Sequence, residues 1–217
     1  MDASAGNEPS TTSRTDRRRA DTRRRLLASA RELFAEKGVG DTRIAEISER
    51  ADVAAGSFYN HFEDKAAILK AVLAEIAESQ GSDVDRLTEG IDDPAEVVAF
   101  AHRHFVRLAV DDPSFGQLII RLDASHGLLR EVLGPRATRD IQAGIEAGRF
   151  EVHDALSAAF ATGGALLGTI SGVVDGVLGE DVDETHAAAV LRMLGLPAKE
   201  AAAISSTANL EVSPVPA

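Results

Sequence analysis

Apolar residues recur three and four positions apart along almost every patterned stretch of this chain. Nowhere do they alternate one-for-one with polar residues as a half-buried strand requires. The three-and-four spacing gathers apolar side chains on one stripe of a helix, and Gly and Pro fall at the breaks. The chain therefore reads as all-α. A first helix is expected over about 21–37, with Leu26, Ala30, Leu33 and Phe34 on one face and a stop at Gly38. A short second helix should follow Thr42, whose hydroxyl can cap it, and bury Ile44 and Ile47. A third ends near Phe62, and Asp64 can cap a fourth carrying Ile68, Val72, Leu73 and Ile76. After a polar gap at 81–93, Pro94 suits a first helical turn. Further helices are expected over 94–110, 113–123, 128–133, 135–147, 154–178, 183–194 and 198–206.

Composition narrows what such a bundle can be. Of 217 residues, 44% are hydrophobic and 27% charged, which excludes wholesale disorder. The net charge of −12 excludes a protein that coats nucleic acid with its whole surface. The charge is uneven, however. Residues 1–65 hold 12 basic and 12 acidic side chains, whereas the remainder holds 11 and 23. Within the first part, residues 14–25 carry seven arginines and two aspartates. One end suits a polyanion and the rest does something else. There are no cysteines, hence no disulfide, thiolate metal site or cysteine nucleophile. The arginines near the N-terminus precede no apolar run of signal-peptide length. Segment 155–178 is long and nearly uncharged. Asp175, its many small residues and the lack of flanking basic clusters favour a buried helix over a membrane span. A cytoplasmic protein with no membrane partner and no cofactor is expected.

Two short helices joined by a tight turn form a helix-turn-helix, and residues 42–62 have that shape. Ile44, Ile47, Ala51, Val53, Phe58 and Phe62 would pack the pair, leaving Ala55, Gly56, Ser57, Tyr59, Asn60 and His61 outward. Small residues allow close approach to a groove floor, Asn can pair two-pronged with adenine, and Tyr and His can bond phosphates. By spacing alone a helical hairpin with a polar face fits as well.

The run from Thr42 through Arg43, Ile44, Ala45, Glu46 and Ile47 to Gly56-Ser57-Phe58-Tyr59-Asn60-His61-Phe62, then Lys65 and Leu69, resembles the DNA-binding signature of the TetR family of transcriptional regulators. The preceding helix with Ala30, Leu33, Phe34 and Gly38 is similar too. The resemblance covers about residues 20–80. It implies an all-helical homodimer with a three-helix headpiece and a larger C-terminal domain that takes a small-molecule ligand. A ligand-responsive repressor of a palindromic operator in double-stranded DNA is implied. An activator or a co-repressor-dependent regulator of the same fold is the alternative. It further implies that Thr42, Tyr59, His61 and Lys65 meet phosphates and that Ala55, Ser57 and Asn60 approach bases. Arg43 and Gly56 complete the expected DNA-binding set. Two positions depart from the family pattern. Asp52 stands where Gly is usual, and Asp tolerates the left-handed conformation. Ala54 stands where Ser or Thr usually caps the recognition helix, a loss of about 1 kcal/mol.

The expected organisation is a disordered arginine-containing tail over 1–19, the DNA-binding domain over 20–80, a regulatory and dimerisation domain over 81–210, and a tail over 211–217. The arginine run is either an arm for phosphates or the minor groove, or a solvated tail. In the C-terminal domain Phe100, Phe105, Phe115, Leu118 and Ile141 sit on helices that should converge. A pocket needs apolar walls and a few polar groups, and His104 and Arg121 are the candidates. His102 and His104, two apart, face different ways and make a poor metal pair. Asp123, Ser125 and His126 are triad residue types without triad geometry, so no catalytic residues are assigned and the chain is not expected to be an enzyme. Gly164, Gly168, Gly172 and Gly176 recur every four residues and draw a bare stripe along a helix. Such a stripe suits close packing by a neighbour, either in the same subunit or in a partner. Together with Val190, Leu191 and Leu194, Gly164, Gly168 and Gly172 form the expected dimer interface.

Overall fold

The computed structural model describes residues 14–120, 131 and 133–207, and all regular structure among them is helical. The chain divides into two compact units, Met1–Val72 and Leu73–Ala217. In the first unit, α1 (Arg14–Asp41) is followed by α2 (Ile44–Arg50), α3 (Ala55–Phe58) and the start of α4 (Lys65–Leu87). Their apolar faces close a small core from Leu26, Leu27, Phe34, Ile47, Phe58 and Ile68, all buried. Helix α1 is interrupted at Gly38, whose φ of 80° suits a residue without Cβ. The Arg50 guanidinium grips the Glu36 carboxylate with two bonds of 2.6 and 2.8 Å, and Lys37 meets Glu46 at 2.7 Å. These pairs fix the register of α2 on α1.

Two sequence expectations are corrected here. Residues 14–19 are not a disordered tail but the first turns of α1. Nothing between Arg14 and Arg25 breaks a helix, and arginine and alanine are good helix formers. The polar gap at 81–93 is likewise helical through Leu87, because α4 keeps Ile76, Ala77, Gln80 and Val84 on its buried side.

The second unit is built around α5 (Pro94–Asp111), which packs against α6 (Pro113–Ile120), α7 (Gly134–Glu146), α8 (Ala155–Val174), α9 (Val182–Met193) and α10 (Ala198–Thr207). Asp93 caps α5 by accepting from the Ala95 amide at 2.9 Å. Val98, Ile141, Phe150, Ala159, Leu191 and Leu196 join one core across these helices. The ring of Phe150 folds back over Gly144, where any side chain would collide with it. A buried ionic cluster crosses the unit. Arg103 bonds Asp183 at 2.8 Å and the Ser205 carbonyl at 2.7 Å, linking α5, α9 and α10, and Arg107 approaches the same carboxylate at 3.4 Å. Removing Asp183 would leave two guanidinium groups without their shared anion, a change that typically costs about 3–5 kcal/mol for a buried pair.

Helix α8 is long and apolar enough to cross a membrane by length and composition. It buries Ala155, Ala159, Thr162, Leu166 and Ile170 against the bundle. Its other face exposes Leu156, Phe160, Gly164 and Gly168. Val190, Leu191 and Leu194 do not join that face. All three are fully buried in the subunit's own core, because α9 turns them toward α5. They are therefore core residues, not the dimer interface expected from the sequence. The expected helix over 128–133 falls almost wholly outside the described residues, as does the segment 211–217.

Candidate functional site

The turn between α2 and α3 is made by Asp52, which sits at φ 52°, the left-handed conformation that Asp adopts more readily than most residues. The Arg25 guanidinium donates to the Asp52 carbonyl at 2.6 Å, and the Val53 amide donates to the Ser48 carbonyl at 3.0 Å. Ala54, the residue before α3, offers the helix no side-chain cap. Only four residues are α-helical, and tighter turns carry the chain on to Phe62. The segment is held from beneath. Phe58 is fully buried and packs edge-on to Tyr59 and tilted against Phe62, with ring centres 5.4 and 5.8 Å apart. With Phe58 as the inward anchor, Ala55, Gly56, Tyr59 and Asn60 point outward and Ser57 and His61 are half-buried. Tyr59 is 61% exposed. A Cβ at Gly56 would meet nothing, so the surface there is open to a close-approaching partner.

Burial, followed by the nearby cations Arg19 and Arg23, pushes the His61 imidazole below its ordinary pKa. This favours the neutral ring, a hydrogen-bonding group rather than a cation. Arg43 is exposed, and its amide donates to the Glu46 side chain at 2.8 Å, the returning half of a capping box.

Two expected contact residues have different work. Thr42 is 1% exposed, and its hydroxyl donates to the Gly38 carbonyl at 2.7 Å. It closes the end of α1 instead of capping α2 or facing a phosphate. Lys65 points its ammonium at the carbonyls of Val39, Gly40 and Thr42, at 2.7, 3.2 and 3.0 Å. It ties the start of α4 to the α1–α2 corner and is not a free cation.

In the second unit a cavity of about 80 Å³ opens between α4, α5, α7 and α8. Val84, Phe105, Leu133, Phe160 and Leu166 supply apolar wall, and Asp85, His102, Arg136, Asp140 and Thr162 supply polar groups. The charges are mutually fixed. Arg136 bonds Asp85 at 2.9 Å and Glu78 through two contacts of 2.8 and 3.0 Å, while Arg139 bridges Asp85 and Asp140 at 2.6 and 2.8 Å. Burial alone would raise the Asp85 pKa, but the bonds from Arg139 and Arg136 outweigh it and hold this carboxyl below its ordinary value. Asp140 is raised instead, chiefly by burial. His102 has its Nδ1 3.0 Å from Nε2 of His186, whose Nδ1 is 2.9 Å from the Thr169 hydroxyl.

Of the expected pocket residues, Phe105 lines this cavity. Phe100, Phe115 and Ile141 are buried elsewhere in the unit, and His104 pairs with Gln80 at 2.8 Å. Arg121 and the side chain of Leu118 lie outside the described residues, as do Asp123, Ser125 and His126. Sequence reasoning passed over Asp85, Arg136 and Asp140. The available signal was the four-residue spacing of Arg136 and Asp140, which places both on one face of α7.

Comparison with known proteins bears on both units. Residues 26–72 match the family model described as bacterial regulatory proteins, tetR family. Residues 93–207 match that of the tetracyclin repressor-like C-terminal domain. The crystal structure of RolR in complex with resorcinol superposes with a TM-score of 0.82 at 42% sequence identity, covering 91% of this chain and 99% of that one. The regulator TtgR of Pseudomonas putida is 30% identical over 55% of this chain and 52% of its own length. The repressor BepR of Brucella suis is 38% identical over 28% of this chain and 29% of its own. This chain thus spans about a quarter to a half of the length of the curated relatives it matches. With one model matched by the headpiece and another by the helical remainder, the chain belongs to the TetR family of bacterial regulatory proteins.

Proposed function

We propose that this chain is a homodimeric repressor whose first unit binds a palindromic operator and whose second unit releases it when a small phenol enters the cavity. The observation that carries the reading is the near-complete correspondence with RolR, a protein crystallised with resorcinol. The cavity supports a ligand of that kind. Its volume is well under the roughly 300–1,000 Å³ of a site for drug-sized molecules, which favours a single ring. Apolar walls suit the ring faces, and Asp85, Arg136 and Asp140 can accept from and donate to hydroxyl groups at its rim.

Ala55, Gly56, Ser57, Tyr59 and Asn60, with Arg43 and His61 beside them, are the DNA-contacting set of this reading. Acting on DNA, the protein would work in the cytoplasm. The bare face of α8 supports the dimer. A Cβ on Gly164 or Gly168 meets nothing within 4 Å, so no helix among the described residues offsets the cost of these glycines. That cost is about 1 kcal/mol each relative to alanine. Gly172 differs, since the Leu178 side chain packs over it. Helix α4 supplies the coupling. Its first turn carries Lys65, and its last turns carry Gly81, Val84 and Asp85 on the cavity wall. A ligand that shifts those turns alters the spacing of the two recognition helices, which must enter grooves about 34–36 Å apart.

Selection of bound duplexes from a random pool tests the DNA-binding part. Enrichment of one palindromic family is expected. Uniform retention of unrelated sequences would contradict it.

A further inference from the structure

The first three turns of α1 hold Arg14, Arg17, Arg18, Arg19, Arg23, Arg24 and Arg25 against two carboxylates, Asp16 and Asp21. Three of the seven are engaged. Arg24 pairs with Asp21, Arg25 bonds the Asp52 carbonyl, and Arg23 lies over the Phe62 ring at 5.2 Å. Arg14, Arg17, Arg18 and Arg19 are exposed and make no ion pair or hydrogen bond among the described residues. Four unpaired cations within six residues repel one another, in a chain that is otherwise acidic. An external polyanion beside the ridge would relieve that repulsion.

Its position says which. Arg23 stacks on Phe62, which packs on the buried anchor Phe58 of the recognition segment, and Arg19 and Arg23 lie close enough to His61 to depress its basicity. Arg19 and Arg23, four apart, lie on the side of α1 next to the face that carries Tyr59, Asn60 and His61, and the exposed Arg14, Arg17 and Arg18 precede them on the other side of the same helix. From Arg23 back to Arg14 the helix rises about 13 Å. At about 3.4 Å per base pair, that equals the length of about four base pairs.

We propose that this arginine ridge is a second DNA-contacting element. Arg14, Arg17, Arg18 and Arg19 neutralise backbone phosphates flanking each half-site and lengthen the operator by up to about four base pairs at each end. The inference rests on the reading of the first unit as a DNA-binding headpiece, and goes beyond it by assigning the helical extension a sequence-independent grip.

The test uses the full chain and a palindrome selected by the unaltered protein. A variant with Arg14→Ala, Arg17→Ala, Arg18→Ala and Arg19→Ala keeps a helix-favouring sequence. Binding is measured from 50 to 300 mM NaCl on two duplexes, one ending at the palindrome and one with eight further base pairs on each side. The unaltered protein should bind the longer duplex at least tenfold more tightly, and the variant should bind both alike. The salt slope on the longer duplex should fall by about 0.9 for each phosphate that the variant no longer neutralises. An equal loss on both duplexes would mean a diffuse charge effect and overturn the proposal. So would an unchanged slope and unchanged flank preference in the variant. Failure of the unaltered protein to select any duplex would reject the headpiece reading itself, a different result from either.

Discussion

At the scale of single residues, the headpiece separates groups that hold it together from groups that face outward. Thr42→Val should destabilise it by about 1 kcal/mol through loss of the bond to the Gly38 carbonyl. Its effect on the salt dependence of DNA binding should be nil, because the side chain is buried. Tyr59→Ala should do the reverse, weakening binding to all sequences while the urea midpoint stays put, since the ring is largely exposed. A Tyr59→Ala protein with full affinity at moderate salt would show that α3 is not the contacting element. In the second unit, burial depresses His102 to about 3 and His186 to about 4, from an ordinary 6.5. The unfolded chain takes up protons below pH 6.5 that these buried rings refuse. Stability present above pH 6.5 is therefore lost as pH falls toward 4, by up to about 1.4 kcal/mol per pH unit for each ring. Urea midpoints at pH 7 and pH 5 should differ less in His186→Gln than in the unaltered protein, and an equal difference would place the titration elsewhere.

At the scale of elements, what was legible in the sequence followed how local the determinants are. The helix-turn-helix is written in consecutive residues, so Asp52 in its left-handed turn and Ala54 as an empty cap could both be read before the structure. The cavity is assembled from four helices, and Arg136 meets its partner Asp85 across 51 residues of chain. No local pattern announces that pairing, and a run rich in such charges looked like a gap. Helix α9 misled for a related reason. Its apolar stripe was plain, but which neighbour it faces depends on α5. The glycine stripe of α8 carries the sharpest element-scale prediction. Gly168→Leu has room within the subunit, so the variant should keep its helical content by circular dichroism. Sedimentation at sub-micromolar concentration should show dissociation, because overpacking a helix contact costs about 1–3 kcal/mol. A fully dimeric variant would move the interface off this stripe.

At the scale of the whole molecule, α4 runs without a break from the first unit into the second, and the proposed response depends on it to couple ligand to operator. Such coupling requires that ligand and operator prefer different states, with an interaction free energy typically of about 1–3 kcal/mol, or 5- to 150-fold in affinity. Arg136→Ala should abolish the ligand response while leaving operator affinity in its absence within a few-fold, because the guanidinium is placed at the cavity and not on the headpiece. The most direct measurement is a fluorescence-anisotropy titration of the selected palindrome with this protein, with and without saturating resorcinol. The account predicts operator binding at least fivefold weaker with resorcinol present. Unchanged affinity, with resorcinol shown by calorimetry to occupy the protein, would contradict it.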